Sequence, residues 1–343
     1  MPTQKFYPFP ESNTDEWMEQ IRKDLKGKVD ESTLITTLWE EIKINPIYGK
    51  EQLKKEPIPY KFNFSSKFPG LPPRIWSNLI LPVLSDEKSI NAEILASLQL
   101  GAEGIILRLE GHEDLNQILK GVFTEHIQLY FSPLAEAKPV LIQVKNWVES
   151  MKLTPEMLHG SILWSPTGEF LKGKTNWQEQ IENGIQALST FKLFPNFYPI
   201  TISFAHYANT GATGIQELTY GLGELIDILD QFEKNGISVK DALSQFAFHT
   251  AVGENHFPEI AKLKVLRNLL VDLAENLGGE LTQEKIHLIT STSTWNKSIF
   301  DQNTSLVRQT YEAMAGILGG CNALWVRTIQ EENLNLETLH TNF

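Results

Sequence analysis

The sequence predicts an α/β protein: a (β/α)8 barrel of TIM type preceded by an N-terminal arm of helix and extended chain. Two observations carry this. From residue 76 onward, eight short apolar runs alternate strictly with seven helix-like patterns, and such alternation means parallel strands joined by crossover helices. Eight is also the strand number that closes a barrel, and a barrel of ~250 residues plus an extension accounts for the 343 residues of the chain. A doubly wound open sheet is the alternative reading of the same pattern.

Residues 1–75 read as the arm and residues 76–343 as the barrel. Asn13-Thr14-Asp15 offers a cap for a helix whose apolar positions Trp17, Ile21 and Leu25 repeat at helical spacing. A strand-like stretch follows over Leu34–Tyr48. Pro57–Pro73 then shows no periodicity, as in arms that wrap a neighbouring surface or lie on the parent domain. The barrel runs are 76–83, 104–109, 127–132, 160–164, 199–205, 246–251, 286–291 and 323–327. Helical patterns lie near 87–100, 112–122, 135–151, 177–192, 213–235, 256–277 and 305–318. The clearest is 256–277, where Ile260, Leu263, Leu266, Leu270 and Leu273 form one stripe and Gly278-Gly279 is the stop. The helix that should follow run eight is missing or lies beyond Phe343.

Charge and composition narrow the function. Apolar residues are 41% and charged residues 21%, with 42 acidic against 30 basic side chains and a net charge of −12. That sign repels phosphate backbones and anionic lipid, which argues against a nucleic-acid or membrane-surface binder. The single cysteine, Cys321, excludes an intrachain disulfide and cysteine-rich metal sites, and points to a reducing compartment. No apolar run approaches the ~20 residues of a membrane span, and the start lacks a secretory or mitochondrial leader pattern. The expectation is a cytoplasmic protein.

Common catalytic motifs are absent. There is no GxxxxGK[ST], GxSxG or HExxH, and no DxHxxG, the sequence whose histidine can ligate cobalamin cobalt. Gly221-Leu-Gly223 is too short for a dinucleotide fingerprint. Polar residues do gather at the C-terminal ends of the runs, where barrels place their chemistry. His206 follows run five, His249 lies within run six, Glu254, Asn255 and His256 follow it, and Thr290 to Ser293 end run seven. Each has a plain structural reading: hydroxyls cap turns, and rim histidines satisfy hydrogen bonds. Gly211-Ala-Thr213 reads as a helix start. Glu254 and His256 could be two metal ligands, without a second pair in view.

Three long stretches go further: residues 292–320 (TSTWNKSIFDQNTSLVRQTYEAMAGILGG), 251–267 (AVGENHFPEIAKLKVLR) and 205–220 (AHYANTGATGIQELTY). Together they resemble the acyl-CoA-binding barrel of the methylmalonyl-CoA mutase family. The start, from the Trp17 helix through Asp24-Leu-Lys-Gly-Lys28 to Tyr48, is similar to that family's N-terminal arm. The resemblance implies adenosylcobalamin-dependent radical rearrangement of an acyl-CoA that threads the barrel axis, with cobalamin held on a separate C-terminal domain. It also implies heterodimers, in which a large catalytic chain pairs with a related small chain that does no chemistry.

The active-site positions of the family select between those chains. Beyond the segment like Arg74-Ile-Trp76, catalytic members carry arginine, glutamine and tyrosine; the matching stretch here is Leu79-Ile80-Leu81, with Leu81 at the tyrosine position. A family glutamine matches Leu163, and a family arginine that pairs with the substrate carboxylate matches Gly173. The histidine that bonds the thioester carbonyl matches His206. A carboxylate taken into a dry barrel needs a charge-assisted partner, and glycine removes it. Leucine cannot replace a phenol's hydrogen bond, so Leu81, Leu163 and Trp164 are expected to fill the space instead. The resemblance therefore implies a catalytically silent small chain that binds no cofactor itself and partners a large mutase chain, with an acyl-CoA as a candidate ligand. Two other readings compete. One is an active acyl-CoA mutase module with altered substrate choice, completed by cobalamin on another chain. The other is an unrelated barrel enzyme using the Glu254/His256/His206 rim.

Overall fold

A computed structural model describes residues 13–28, 30–49, 52, 76–83, 86–151, 154–171, 173, 176–297 and 301–327. They form two compact units, one before residue 60 and one after it. Pro57–Pro73 and the segment after run eight, from residue 328, lie outside the described residues.

In the first unit, α1 (Thr14–Leu25) starts at Asn13, whose side chain accepts from Glu16 N while Glu16 reaches back to the cap. This reciprocal pairing satisfies two of the helix's unpaired donors. A 3-10 turn over Glu31–Leu34 leads to two short antiparallel strands, β1 (Thr36–Thr37) and β2 (Lys43–Ile44). None of the described residues 13–49 is buried.

The second unit contains β3 (Ser77–Ile80), α2 (Glu87–Gln99), β4 (Gly104–Leu109), α3 (Leu115–Ile118), β5 (Gln128–Pro133) and α4 (Ala137–Met151). It continues with β6 (Gly160–Ile162), α5 (Pro166–Leu171), α6 (Trp177–Phe191), β7 (Phe197–Tyr198), β8 (Ile200–Ser203), α7 (Ala205–Asn209), α8 (Gly214–Lys234) and α9 (Val239–Leu243). The last elements are β9 (Phe246–Val252), α10 (His256–Asn276), β10 (His287–Thr292), α11 (Gln302–Gly319) and β11 (Ala323–Trp325).

The strands lie in the order β7-β6-β5-β4-β3-β11-β10-β9-β8, and all their pairings are parallel. The two ends of this order are consecutive in the chain, on either side of residue 199. β7 pairs with β6 through Phe197↔Gly160, and β8 pairs with β9 through Ile200↔Phe246. Pro199 separates them, because it has no N–H to give a ladder. Beyond the break, Thr201 N donates to Trp164 O at 2.8 Å and Thr201 Oγ1 donates to Ile162 O at 2.8 Å. The bent strand thus closes the ring, and nine segments make an eight-stranded TIM-type barrel.

Strand alternation divides the core in two. Ile105, Leu107 and Leu109 of β4, with Leu129 and Phe131 of β5, face the helices and belong to the large outer cluster. Ile106 and Tyr130, from the same strands, face the axis with Leu79, Leu81, Ala247, Ile289, Ala323 and Trp325. One expectation fails here. Trp164 packs in the outer cluster, because its neighbour Leu163 takes the inward position.

The helices also depart from strict alternation in detail. The pattern at 112–122 gives only α3. The Glu113 carboxylate accepts from Glu110, Gly111 and His112 N–H groups, which holds that segment as a turn. Gly121, at φ +78°, stands just beyond the helix. Three further helices, α5, α7 and α9, are 6, 5 and 5 residues long.

Candidate functional site

A barrel of this kind gathers chemistry at the C-terminal ends of its strands. The inward positions there follow from the pleat. Arg108 comes two residues after inward Ile106, Ser132 two after Tyr130, and Arg327 two after Trp325. His249, two after Ala247, is buried between hydroxyls. Ser203 Oγ lies 3.3 Å from its Nδ1 and Ser291 Oγ lies 3.0 Å from its Nε2. The Trp325 ring stacks toward His249 at 6.3 Å, and the Arg327 guanidinium sits 4.0 Å over the Trp325 ring. Burial, reinforced by the charge of Arg327 and by His206, holds His249 well below the ordinary histidine range. It is a neutral imidazole at physiological pH.

Deeper in the axis the barrel is filled. Tyr130 is fully buried; its hydroxyl donates to Gln128 Oε1 and lies 2.9 Å from His287 Nε2. His287 stacks on Tyr198 at 4.8 Å and 15°. Burial keeps both phenols protonated, with Tyr198 pushed up to about 12. Leu79, Leu81, Ile106, Ile289 and Trp325 pack around this plug. The axis is a core of aromatic and branched side chains.

Buried charges also lie between strands and helices. The Glu224 carboxylate accepts from Ser165 Oγ at 2.7 Å and from the Tyr207 hydroxyl at 3.3 Å. Burial raises its pKa to about 7, against the opposing pull of those two hydroxyls. Lys262 donates to Glu217 at 2.5 Å and to Ala251 O at 2.8 Å, and pairs with Glu259 at 2.6 Å. Burial disfavours its charge, but the two carboxylates outweigh burial and Lys262 stays protonated. Burial likewise pushes Glu217 up, against the pull of Lys262. Thr250, the outward neighbour of His249, completes this group by donating to Glu217.

The residues singled out from sequence fall in different places. Leu81 and Leu163 meet in the inner cluster, Leu81 at 5% exposure. His206 stands exposed on α7; a side chain at Gly168 would come within 3.9 Å of its Nε2 and 3.2 Å of Ser165 Oγ. Gly173 is exposed on a turn after α5 at φ +70°. His256 Nδ1 lies 3.1 Å from Tyr311 O, and Glu254 is 3.6 Å from Arg308. Among the described residues no three histidine, cysteine or acidic side chains group as a metal site. Ser293 caps the turn after β10 by accepting from Trp295 N, and Thr213 caps α8. Arg108 and Arg327 escaped sequence reading, although each is a lone cation at an alternate position of an apolar run.

Among the described residues, the buried mouth histidine does not suit cobalt ligation. Both nitrogens of the buried mouth histidine, His249, are within hydrogen-bond reach of serines. The sequence carries no DxHxxG.

Fold and mouth define a TIM-type barrel with a polar C-terminal opening over an axis packed with side chains. Comparison with known proteins places it further. Residues 88–339 match the family profile of methylmalonyl-CoA mutase, so the chain belongs to that family. It is 25% identical to the methylmalonyl-CoA mutase small subunit of Porphyromonas gingivalis, over 94% of this chain and 54% of that one. In Streptomyces virginiae it is 21% identical to the small subunit, over 94% of this chain and 55% of that one. It is 22% identical to the large subunit of the same organism, over 94% and 49%. Identity alone does not separate small from large. The chain spans about half the length of the curated relatives it matches.

Proposed function

We propose that this chain is the catalytically silent small partner in a heterodimeric, adenosylcobalamin-dependent methylmalonyl-CoA mutase. The observation that carries the reading is the sealed axis. In the family resemblance the acyl-CoA arm runs along the barrel axis and a tyrosine and a glutamine face the reacting group. Here Leu81 and Leu163 belong to an inner cluster continuous with Tyr130 and Tyr198, so that path is occupied by protein. Gly173, at the family's arginine position, offers no cation for a substrate carboxylate. The scaffold is intact: the barrel is closed and its strands are capped by well-packed helices.

The N-terminal unit supports a partner-binding role. None of its described residues 13–49 is buried, and Trp39 and Tyr48 are 82% and 58% exposed. A cleft of about 740 Å³ runs between α1 and residues 45–47, lined by Met18, Leu25, Leu34, Ile35 and Ile47. Apolar side chains left open on this scale suit an obligate subunit contact. In this reading the large chain supplies cobalamin and the reacting site, and this chain contributes surface and stability. The buried thiol of Cys321 accords with a reducing, cytoplasmic setting. No helix among the described residues is long and apolar enough to cross a membrane.

A second reading, an active acyl-CoA module completed by another chain, draws on His206 and the polar mouth. Solution mass separates the two. Light scattering of this chain mixed with the large mutase chain of its own source is expected to show a stable one-to-one complex. Persistent separate species at micromolar concentration would sink the small-partner reading.

A further inference from the structure

We propose that the outward face of α11 is a self-association surface, on which two copies of this chain pair helix to helix. Only two side chains of α11 are charged, Arg308 and Glu312, and both are engaged by neighbouring residues of the barrel. Glu312 is buried and accepts from Asn296 Nδ2 at 2.8 Å and from Lys297 Nζ at 2.5 Å. Arg308 donates to Asn296 O at 2.7 Å and lies 3.6 Å from Glu254. The exposed positions of α11 are uncharged: Val307, Tyr311, Met314 and Leu318, flanked by Leu306, two threonines and an asparagine. By contrast α8 turns Asp227, Asp230, Glu233 and Lys234 to the outside. A helix that is apolar on its outer side as well as its inner one is suited to being covered on both.

Phe257 widens the stripe. It lies in the first turn of α10, and His256 meets both rings edge-on, that of Phe257 at 5.4 Å and that of Tyr311 at 6.0 Å. Phe257 and the four α11 side chains are 46–79% exposed.

Spacing, charge and area point to a second copy as the occupant. Val307, Tyr311, Met314 and Leu318 follow one another at four, three and four residues, the spacing at which helices interlock side by side. Laid antiparallel on its own copy, this seam is self-complementary. Val307 then faces Leu318, and Tyr311 faces Met314, a ring against a thioether. Two chains of net charge −12 repel each other over most of their surface, and an uncharged helix face is where they can meet. An oppositely charged partner would gain little there. The five side chains offer on the order of 600 Å² per copy, so a pair buries roughly 1,200 Å², the lower bound of stable protein contacts. The contact needs the barrel alone and does not depend on the large-chain reading.

The test is light scattering of the full chain by itself across about 1 to 200 µM, a range suited to a contact of this size. The mass is expected to rise toward twice that of one chain. Raising salt from about 0.05 to about 0.5 M should tighten the pairing, because it screens the repulsion between two acidic bodies and leaves an apolar seam in place. M314E and V307E each set a charge in the seam and should weaken association about tenfold or more, ~1.4 kcal/mol. I226E adds the same charge on α8 and should leave association unchanged. Should circular dichroism show one seam variant unfolded, the other makes the same test. A chain that stays single at about 200 µM would overturn the proposal, as would pairing that survives both seam substitutions or weakens as salt rises. If the single chain instead loses its complex with the large mutase chain on M314E, the face belongs to that chain, and the second copy is overturned as its occupant.

Discussion

At Glu224 a carboxylate is buried against two hydroxyls, those of Ser165 and Tyr207. Its pKa of about 7 in the fold stands above the ordinary carboxylate value. The folded chain therefore holds a proton that the unfolded chain has already released, and stability falls as pH rises from about 4.5 to about 7. The full loss is on the order of 3 kcal/mol by linkage, complete above pH 7. Glu224→Gln keeps the shape, its amide oxygen accepting from one hydroxyl and its amide N–H donating to the other. It should flatten that slope and make the variant more stable than the natural chain at pH 8. Urea unfolding at pH 5 and pH 8 measures both. This carboxylate was not legible in the sequence, because a glutamate in the amphipathic pattern of α8 looks like any solvent-facing one. Only the approach of Tyr207 and Ser165 from other elements buries it. The arginines of the mouth were closer to legible: a cation two residues after inward Ile106 or Trp325 must face the axis once the strand is assigned.

At the scale of elements, the eight apolar runs were read to within a few residues, since strands buried on both faces announce themselves as short continuous apolar stretches. The short helices α5, α7 and α9 were not, because five or six residues cannot display a period of 3.6. The bend at Pro199 was hidden as well. A proline opening an apolar run signals an edge or a break, but only the two different partners of β7 and β8 show that the break closes the barrel. Two glycines explain how tightly strands and helices approach. Gly221, part of the Gly-Leu-Gly in α8, faces the Phe204 ring, and a Cβ there would run into it. Its role is packing. Gly160 opens β6 at φ +132°, where a Cβ would strike the Leu129 carbonyl oxygen across the β5–β6 pairing. Gly160→Ala should cost roughly 2–5 kcal/mol through backbone strain and lost pairing. Chemical denaturation should show the loss as a lower midpoint, while a change under 0.5 kcal/mol, the range of neutral surface changes, would mean the strand shifts freely.

For the whole molecule, the family frame was the most legible level: three long blocks carried the resemblance, and the closed parallel barrel and the match over residues 88–339 agree with it. The resemblance could propose which family positions are altered, but not how the residues standing there pack. Leu81 and Leu163 lie in one inner cluster with Tyr130 and Tyr198, contributed by strands far apart in the chain. The proposed division of labour builds on that packing: in it, this chain presents surfaces and a large chain holds the reacting acyl-CoA. Calorimetric titration of the isolated chain with methylmalonyl-CoA, beside free methylmalonate, tests the sealed axis most directly. The packing predicts that the CoA ester binds no more tightly than the free acid. Stoichiometric binding of the ester about tenfold tighter or better, a gain of ~1.4 kcal/mol from the CoA arm, would contradict it and return the chain to the ranks of active acyl-CoA modules.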